Sequence, residues 1–266
     1  MARRLTAKMN FENVAGNLRE SFRVIAASRA AGENRELHGV SIASAGVTFQ
    51  MFNCAFLSEP VITDAELTQR ILLANTHFNV RGQEWAYWVC EDWISGGARR
   101  RSRQLFERLG MRHSVDLPGM VADRVAPPAY LLPAIDVRRV CHGPVRDAFC
   151  AIGSLCFNVP IAWFMEVFDH DSVWDRFESY VGYVDEEPVS TAAIVLGGGA
   201  LGVYNVATVP GHRRCGYGEA VMRHALADAE SRHGIERVLL QSTPAGYKLY
   251  QRMGFRTVTS VGVYSS

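Results

Sequence analysis

The chain of 266 residues has a formal net charge of +1, with 48% hydrophobic and 21% charged residues. That composition specifies packed structure in one large or two modest domains and excludes intrinsic disorder. The balanced charge gives no electrostatic footing for nucleic acid or an acidic membrane surface. Six cysteines without a Cys-x-x-Cys pair point to reduced thiols in a cytoplasmic protein, not to a disulfide scaffold.

The N-terminal residues Met1 to Glu12 hold no apolar run of signal-peptide length, so no leader is expected. The spacing of Val14, Leu18, Phe22, Ile25 and Ala26 predicts a helix over 11–31. Two short β-like runs follow at 39–43 and 47–56. A helix then runs from Ala65 through Leu67, Ile71 and Leu72 to His77, with Asp64 as its cap. An aromatic strand, Trp85-Ala86-Tyr87-Trp88-Val89-Cys90, precedes a helix at 102–109 and a strand near 120–125. The basic run Arg99, Arg100, Arg101 and Arg103 reads as a solvated helix start, offset by Glu91, Asp92 and Glu107. Pro127, Pro128 and Pro133 then interrupt the chain, which places a boundary between residues 1–130 and 131–266.

The second half begins with a strand at 135–140 and helices at 144–157 and 160–168. Strands are expected at 178–184, 190–196 and 201–209, the last two joined by a hairpin at Gly197, Gly198 and Gly199. The apolar stretch from Ala192 to Val209 is broken by these glycines and carries Asn205 and Thr208, so it reads as two strands and not a membrane span. A helix at 218–233, a strand at 237–241, a helix at 244–253 and a strand at 255–263 complete the order. Leu105-Phe106-Glu107-Arg108-Leu109-Gly110-Met111 echoes Leu249-Tyr250-Gln251-Arg252-Met253-Gly254-Phe255. Each is a helix end with a glycine suited to a left-handed cap, which suggests two copies of one α/β unit.

The chemistry concentrates in Asn205-Val206-Ala207-Thr208-Val209-Pro210-Gly211-His212-Arg213-Arg214-Cys215-Gly216-Tyr217-Gly218, read as strand, tight loop and helix. Glycines let backbone amides approach an anion, the helix points its positive end at the same place, and Arg213 and Arg214 add charge. A diphosphate suits that arrangement. The Gly-Lys-Ser/Thr of a P-loop is absent, and a dinucleotide fingerprint lacks its third small residue at Val221 despite Gly216, Gly218 and Glu236.

Arg213, Gly216 and Gly218 resemble the pyrophosphate loop of the GNAT superfamily of N-acetyltransferases, Arg/Gln-x-x-Gly-x-Gly/Ala after a strand. Leu249-Tyr250-Gln251-Arg252-Met253-Gly254-Phe255 is similar to the family's closing Leu-Tyr-x-x-x-Gly-Phe. The resemblance covers residues 135 to 266, with residues 1 to 130 as a degenerate copy lacking the phosphate loop. It implies an α/β fold of tandem GNAT-like units, each a mixed, mainly antiparallel sheet flanked by helices. It also implies transfer of an acetyl group from acetyl-CoA to an amine by direct attack.

Carried over, Val206, Ala207 and Thr208 would bind the pantetheine arm and the carbonyl oxygen. Arg213, Arg214, Cys215, Gly216, Tyr217, Gly218 and Glu219 would hold the phosphates. Tyr250 would be the general acid, with Tyr247 as its fallback or a pocket wall. Thr243 stands where the family often has a cofactor-binding asparagine.

Glu166, Asp169 and His170 are candidate bases or else a solvated helix end. Cys215 offers an acyl-cysteine route, although its place in the loop faces phosphate and not a thioester. No cluster has metal-ligand spacing, so no metal is expected. The aromatic strand reads as sheet core; alternatively the first half walls an acceptor pocket, with Glu91, Asp92 and Trp93 near the amine. The acceptor is expected to be a small-molecule or peptide amine, nucleic acid and membrane are not expected partners, and a homodimer stays open. The rival reading is a non-catalytic acyl-CoA-binding regulatory module.

Overall fold

The computed structural model describes the backbone of residues 2–266 and the side chains of residues 9–266; Met1, in the stretch read for a leader, lies outside the described residues. The chain opens with α1 (Ala2–Ala27), which starts nine residues before the predicted helix. Then come β1 (Glu33–Leu37), β2 (Val40–Ser44) and β3 (Asn53–Leu57). β1 has no counterpart among the predicted elements: it is charged, half-exposed and at the sheet edge, so it takes its register from β2 alone.

The cap of α2 (Asp64–Asn79) is Thr63 and not Asp64. Thr63 and Glu66 form a capping box, while Asp64 is the first helical residue and pairs with Arg101 at 2.7 Å. β4 (Ala86–Cys90), α3 (Gly96–Arg108) and β5 (Arg112–Ala122) follow. The basic run on α3 is solvated and paired, Arg99 with Glu91 and Asp92, and Arg103 with Asp116.

After an irregular connection at 123–135 come β6 (Asp136–Arg139), α4 (Gly143–Phe157) and α5 (Ile161–Val167). β7 (Glu178–Val184), β8 (Glu187–Gly197) and β9 (Ala200–Thr208) form an antiparallel meander. α6 (Tyr217–His233), β10 (Val238–Gln241), α7 (Tyr247–Arg252) and β11 (Arg256–Ser265) complete the chain.

The strands join one sheet in the order β1-β2-β3-β4-β11-β5-β10-β9-β8-β7-β6. Each half follows the same course: β3 runs parallel to β4, and β9 parallel to β10, after antiparallel neighbours. The halves then exchange their last strands. β5 leaves the first half to pair with β10, and β11 leaves the second half to pair with β4; the two meet along a long antiparallel seam. The echoed glycines make both turns into this seam, Gly110 at φ +86° and Gly254 at φ +92°, where a side chain would be strained.

α1, α4 and α5 cover one face of the sheet and α2, α3, α6 and α7 the other. The alternation along β8 shows this: Ala193 and Val195 bury beside Phe149 and Phe164, whereas Ala192 and Ile194 bury beside Val221 and Met222. α1 lies over both halves. Its fully buried Asn17 shares its Nδ2 among the carbonyls of Val195, Gly197 and Ala200 at 3.0, 2.9 and 3.1 Å. The hairpin it grips closes through Gly198 and Gly199, φ +58° and +75°, as a type I′ turn needs. Among the described residues no helix is long and apolar enough to cross a membrane.

Candidate active site

β9 and β10 pair only from Leu201–Val203 to Val238–Leu240; past Val203 they part. The cause lies on the other side of β9. The β8–β9 register shifts between Thr191 and Ala193, with Asn205 in the left-handed region at φ +47° and its carbonyl accepting from Thr191 Oγ1 at 2.7 Å. Such a bulge bends its strand and re-aims the residues beyond it. The Val209 amide donates to the Val189 carbonyl at 3.0 Å. Alternation then turns the Ala207 amide towards β8, and the Val206 and Thr208 amides into the gap.

A cavity of about 270 Å³ opens at this gap. Asn205 and Val206 of the bulge, Gln241 at the end of β10, Thr243 just beyond it, and Tyr250 of α7 reach it from the second half. Phe22, Phe52, Trp88 and Leu117 reach it from the first. Tyr250 is 8% exposed, and burial pushes its phenol up to about 12. Gly246 permits its position, because a Cβ there would lie 2.6 Å from Tyr250 Cε2. No hydrogen bond among the described residues uses the Tyr250 hydroxyl. A broader concavity of about 720 Å³ between β1 and the outer face of α2 contains neither motif.

Beyond β9 the loop makes two left-handed steps, Arg214 at φ +67° and Gly216 at φ +89°, and α6 starts at Tyr217. Arg213 Nε is tied to the Thr208 carbonyl at 3.0 Å, which fixes the guanidinium at the end of β9. Among the described residues, no acceptor takes the amides of residues 214–219; the first bonded one is Ala220, to Gly216 O at 3.0 Å. Consecutive free N–H groups at a helix start form a concave anion site. Gly218 keeps it open towards β9, since a Cβ there would meet Thr208 Oγ1 at 3.0 Å. Glu219 does not oppose an anion with a free charge: it pairs with Arg223 at 2.8 Å.

The corresponding helix start in the first half is filled by its own side chains. The Glu66 carboxylate accepts from the amides of Ile62 and Thr63 at 2.8 and 3.1 Å, and Thr63 Oγ1 accepts from the Glu66 amide at 3.2 Å. Those backbone bonds, Ile62 first, hold the Glu66 carboxyl below its ordinary range. An internal carboxylate thus stands where the second half offers an open cradle.

Residues 175–257 match the family model of the acetyltransferase (GNAT) domain. That segment, about a third of the chain, is similar to a GNAT acetyltransferase domain. A GCN5-related N-acetyltransferase from Kribbella flavida is similar over 94% of each chain, at 17% identity and a TM-score of 0.70. One from Sphaerobacter thermophilus is similar over 86% of this chain and 76% of its own, at 13% identity and a TM-score of 0.55. A GCN5-related N-acetyltransferase-like protein from Streptococcus suis matches over 90% and 91%, at 15% identity and a TM-score of 0.51. At these identities the likeness carries the fold alone, and it spans both halves of the chain. No curated protein matches the sequence.

Within that matched segment, the loop residues and Tyr250 fall on two sides of the same parting of strands. Other candidates fall elsewhere. Ala207 is buried in the ladder opposite Thr191, so its amide is not free for a ligand as those of Val206 and Thr208 are. The Tyr247 hydroxyl is 3.1 Å from Thr257 Oγ1, and Tyr247 does not line the cavity. Cys215 does not line it either; its thiol rests 3.5 Å from the Arg213 carbonyl.

Glu166 and Asp169 tie the halves together, with His170 beside Asp169, and none of the three lines the cavity. Glu166 accepts from the Thr48 amide at 3.0 Å, Asp169 pairs with Arg29 at 2.6 Å, and His170 lies 3.5 Å from Asp169. Glu91 and Asp92 are engaged by Arg99, and Asp92 also accepts from Thr259 Oγ1 at 2.6 Å. Trp93 packs edge-on against Phe11. The first half does wall the cavity, but through Trp88, Phe22, Phe52 and Leu117 and not through those three residues. The sequence pattern places Phe22, Phe52 and Trp88 in a helix and two strands and carries no sign that they converge with Leu117 on one opening.

Proposed function

We propose that this protein transfers an acetyl group from acetyl-CoA to an amine by direct attack. The observation that carries the reading is the row of free amides at 214–219, beside a parted strand pair into which a buried, protonated phenol points. The amides of Arg214 to Glu219, with Arg213 and Arg214, would hold the diphosphate of CoA. CoA supplies the activated thioester. The Val206 amide, facing the gap, would donate to the thioester carbonyl oxygen as negative charge develops there.

Tyr250 would give its phenolic proton to the departing sulfur as the C–S bond breaks and the C–N bond forms. The proton released by nitrogen then returns to the phenolate through water, leaving amide, thiol and neutral Tyr250. Cys215 has no part in this route, and Thr243 replaces an asparagine contact with a shorter side chain at the cavity wall.

One observation favours a second reading, a non-catalytic acyl-CoA-binding module. No Asp, Glu or His lines the cavity, so no side chain there serves as a base. Free-thiol release from acetyl-CoA across a panel of amines separates the two. Amine-dependent release is expected for the transferase, and saturable CoA binding without release by any amine supports the module.

A further inference from the structure

The chemistry of the cavity narrows the acceptor, given the acetyl transfer proposed above. Its wall carries no Asp, Glu, Lys, Arg or His. A polyamine or an aminoglycoside would place further ammonium groups against aromatic and aliphatic side chains with no carboxylate to meet them, a costly desolvation. A free amino acid would bring a carboxylate with no cation to receive it. At about 270 Å³ the space lies near the lower end of the ~300–1,000 Å³ usual for small-molecule sites, which suits one ring better than a peptide.

The rings of Phe22, Phe52, Trp88 and Tyr204 border it, and aromatic groups favour edge-to-face partners. Two lining hydroxyls are already engaged: Ser21 donates to the Leu18 carbonyl at 2.7 Å and Tyr204 to Asn17 Oδ1 at 2.6 Å.

From this we infer that the acceptor is a compact aromatic amine with no second charge. The same surroundings answer the missing base. An apolar wall disfavours the ammonium form, and an amine bonded directly to a ring is neutral in ordinary buffer, so the nucleophile arrives deprotonated. The apolar character continues to the rim, where Phe157 lines the cavity and exposed Trp163 stacks on Phe49 at 5.6 Å.

The test is free-thiol release by the full chain with acetyl-CoA and p-anisidine, aniline, spermidine, kanamycin or glycine. The expected kcat/KM for p-anisidine exceeds that for spermidine, kanamycin and glycine by about 100-fold or more. Leu117→Glu, which adds a carboxylate to the wall, is expected to move the preference towards spermidine by about tenfold.

Faster transfer to spermidine, kanamycin or glycine overturns the inference while leaving acetyl transfer intact. So does an unchanged ratio of p-anisidine to spermidine in Leu117→Glu. Preference for decanoyl-CoA over acetyl-CoA by tenfold with glycine as acceptor also overturns it, because the cavity would then hold the acyl chain. CoA binding by calorimetry without thiol release from any amine brings down the proposed function, and this inference with it.

Discussion

Replacing Tyr250 by Phe separates catalysis from folding more cleanly than any other single change in the cavity. The ring lies over Gly246 and meets Phe255 at 5.9 Å, contacts that Phe keeps. The hydroxyl makes no hydrogen bond to another described residue, so its loss removes no protein partner. The stability change is therefore expected within about 0.5 kcal/mol, read as an unchanged urea midpoint. CoA affinity by calorimetry should stay within about twofold, because the diphosphate cradle lies on a different element.

The loss should fall on turnover. A positioned acid contributes about 100- to 10,000-fold, so kcat in Tyr250→Phe should drop at least ~100-fold, or ~2.7 kcal/mol of barrier. The pH profile adds a second reading. Burial raises the Tyr250 pKa to about 12, so the proton is present throughout the neutral and mildly alkaline range. The same shift contributes stability below the unfolded value near ~10, and that contribution is lost as pH rises through about 12. An alkaline fall in kcat below pH ~10 that vanishes in Tyr250→Phe would refute the reasoning, as would a kcat within about threefold of wild type.

Gly216→Val places a β-branched residue at φ +89° and its Cβ 2.9 Å from Pro133 Cδ. It should cost about 1–3 kcal/mol of stability and weaken CoA binding about 100-fold, checked by thermal melting and calorimetry. Asn17→Ala leaves the carbonyls of Val195, Gly197 and Ala200 without their shared donor, so urea denaturation should show a loss of about 2–4 kcal/mol. Because the Glu66 carboxylate occupies the first half's helix start, calorimetry on the whole chain should count one CoA per chain; two sites would contradict that reading. The whole chain is the right sample, since residues 1–130 without β11 lack the strand that β4 pairs with.

Local pattern carries far in this sequence. The glycine loop before α6, the closing helix with Tyr250 and Gly254, and the order of strands and helices are all written in adjacent residues. The two αL glycines, Gly110 and Gly254, even announce the internal repeat. What was not legible depends on residues far apart in the chain. β5 and β11 take their partners from strands distant in sequence, so nothing local says that each pairs inside the other half.

The bulge at Asn205 comes from pairing with Thr191 and not from its own neighbours. β1 is a charged edge strand held only by β2. At α2, Asp64 and Thr63 are both good caps, and the choice fell to Thr63 because Glu66 completes the box with it. The aromatic wall of the cavity reads in sequence as ordinary core, because Phe22, Phe52 and Trp88 sit on three separate elements that α1 brings together.

The central claim is that the amides of residues 214–219 grip a diphosphate. Calorimetry with CoA, dephospho-CoA and pantetheine on the wild-type chain tests it most directly. Dephospho-CoA, which keeps the diphosphate, should bind within about tenfold of CoA, and pantetheine, which lacks it, at least ~100-fold more weakly. Pantetheine binding as tightly as CoA, or no binding of CoA at all, would contradict the account.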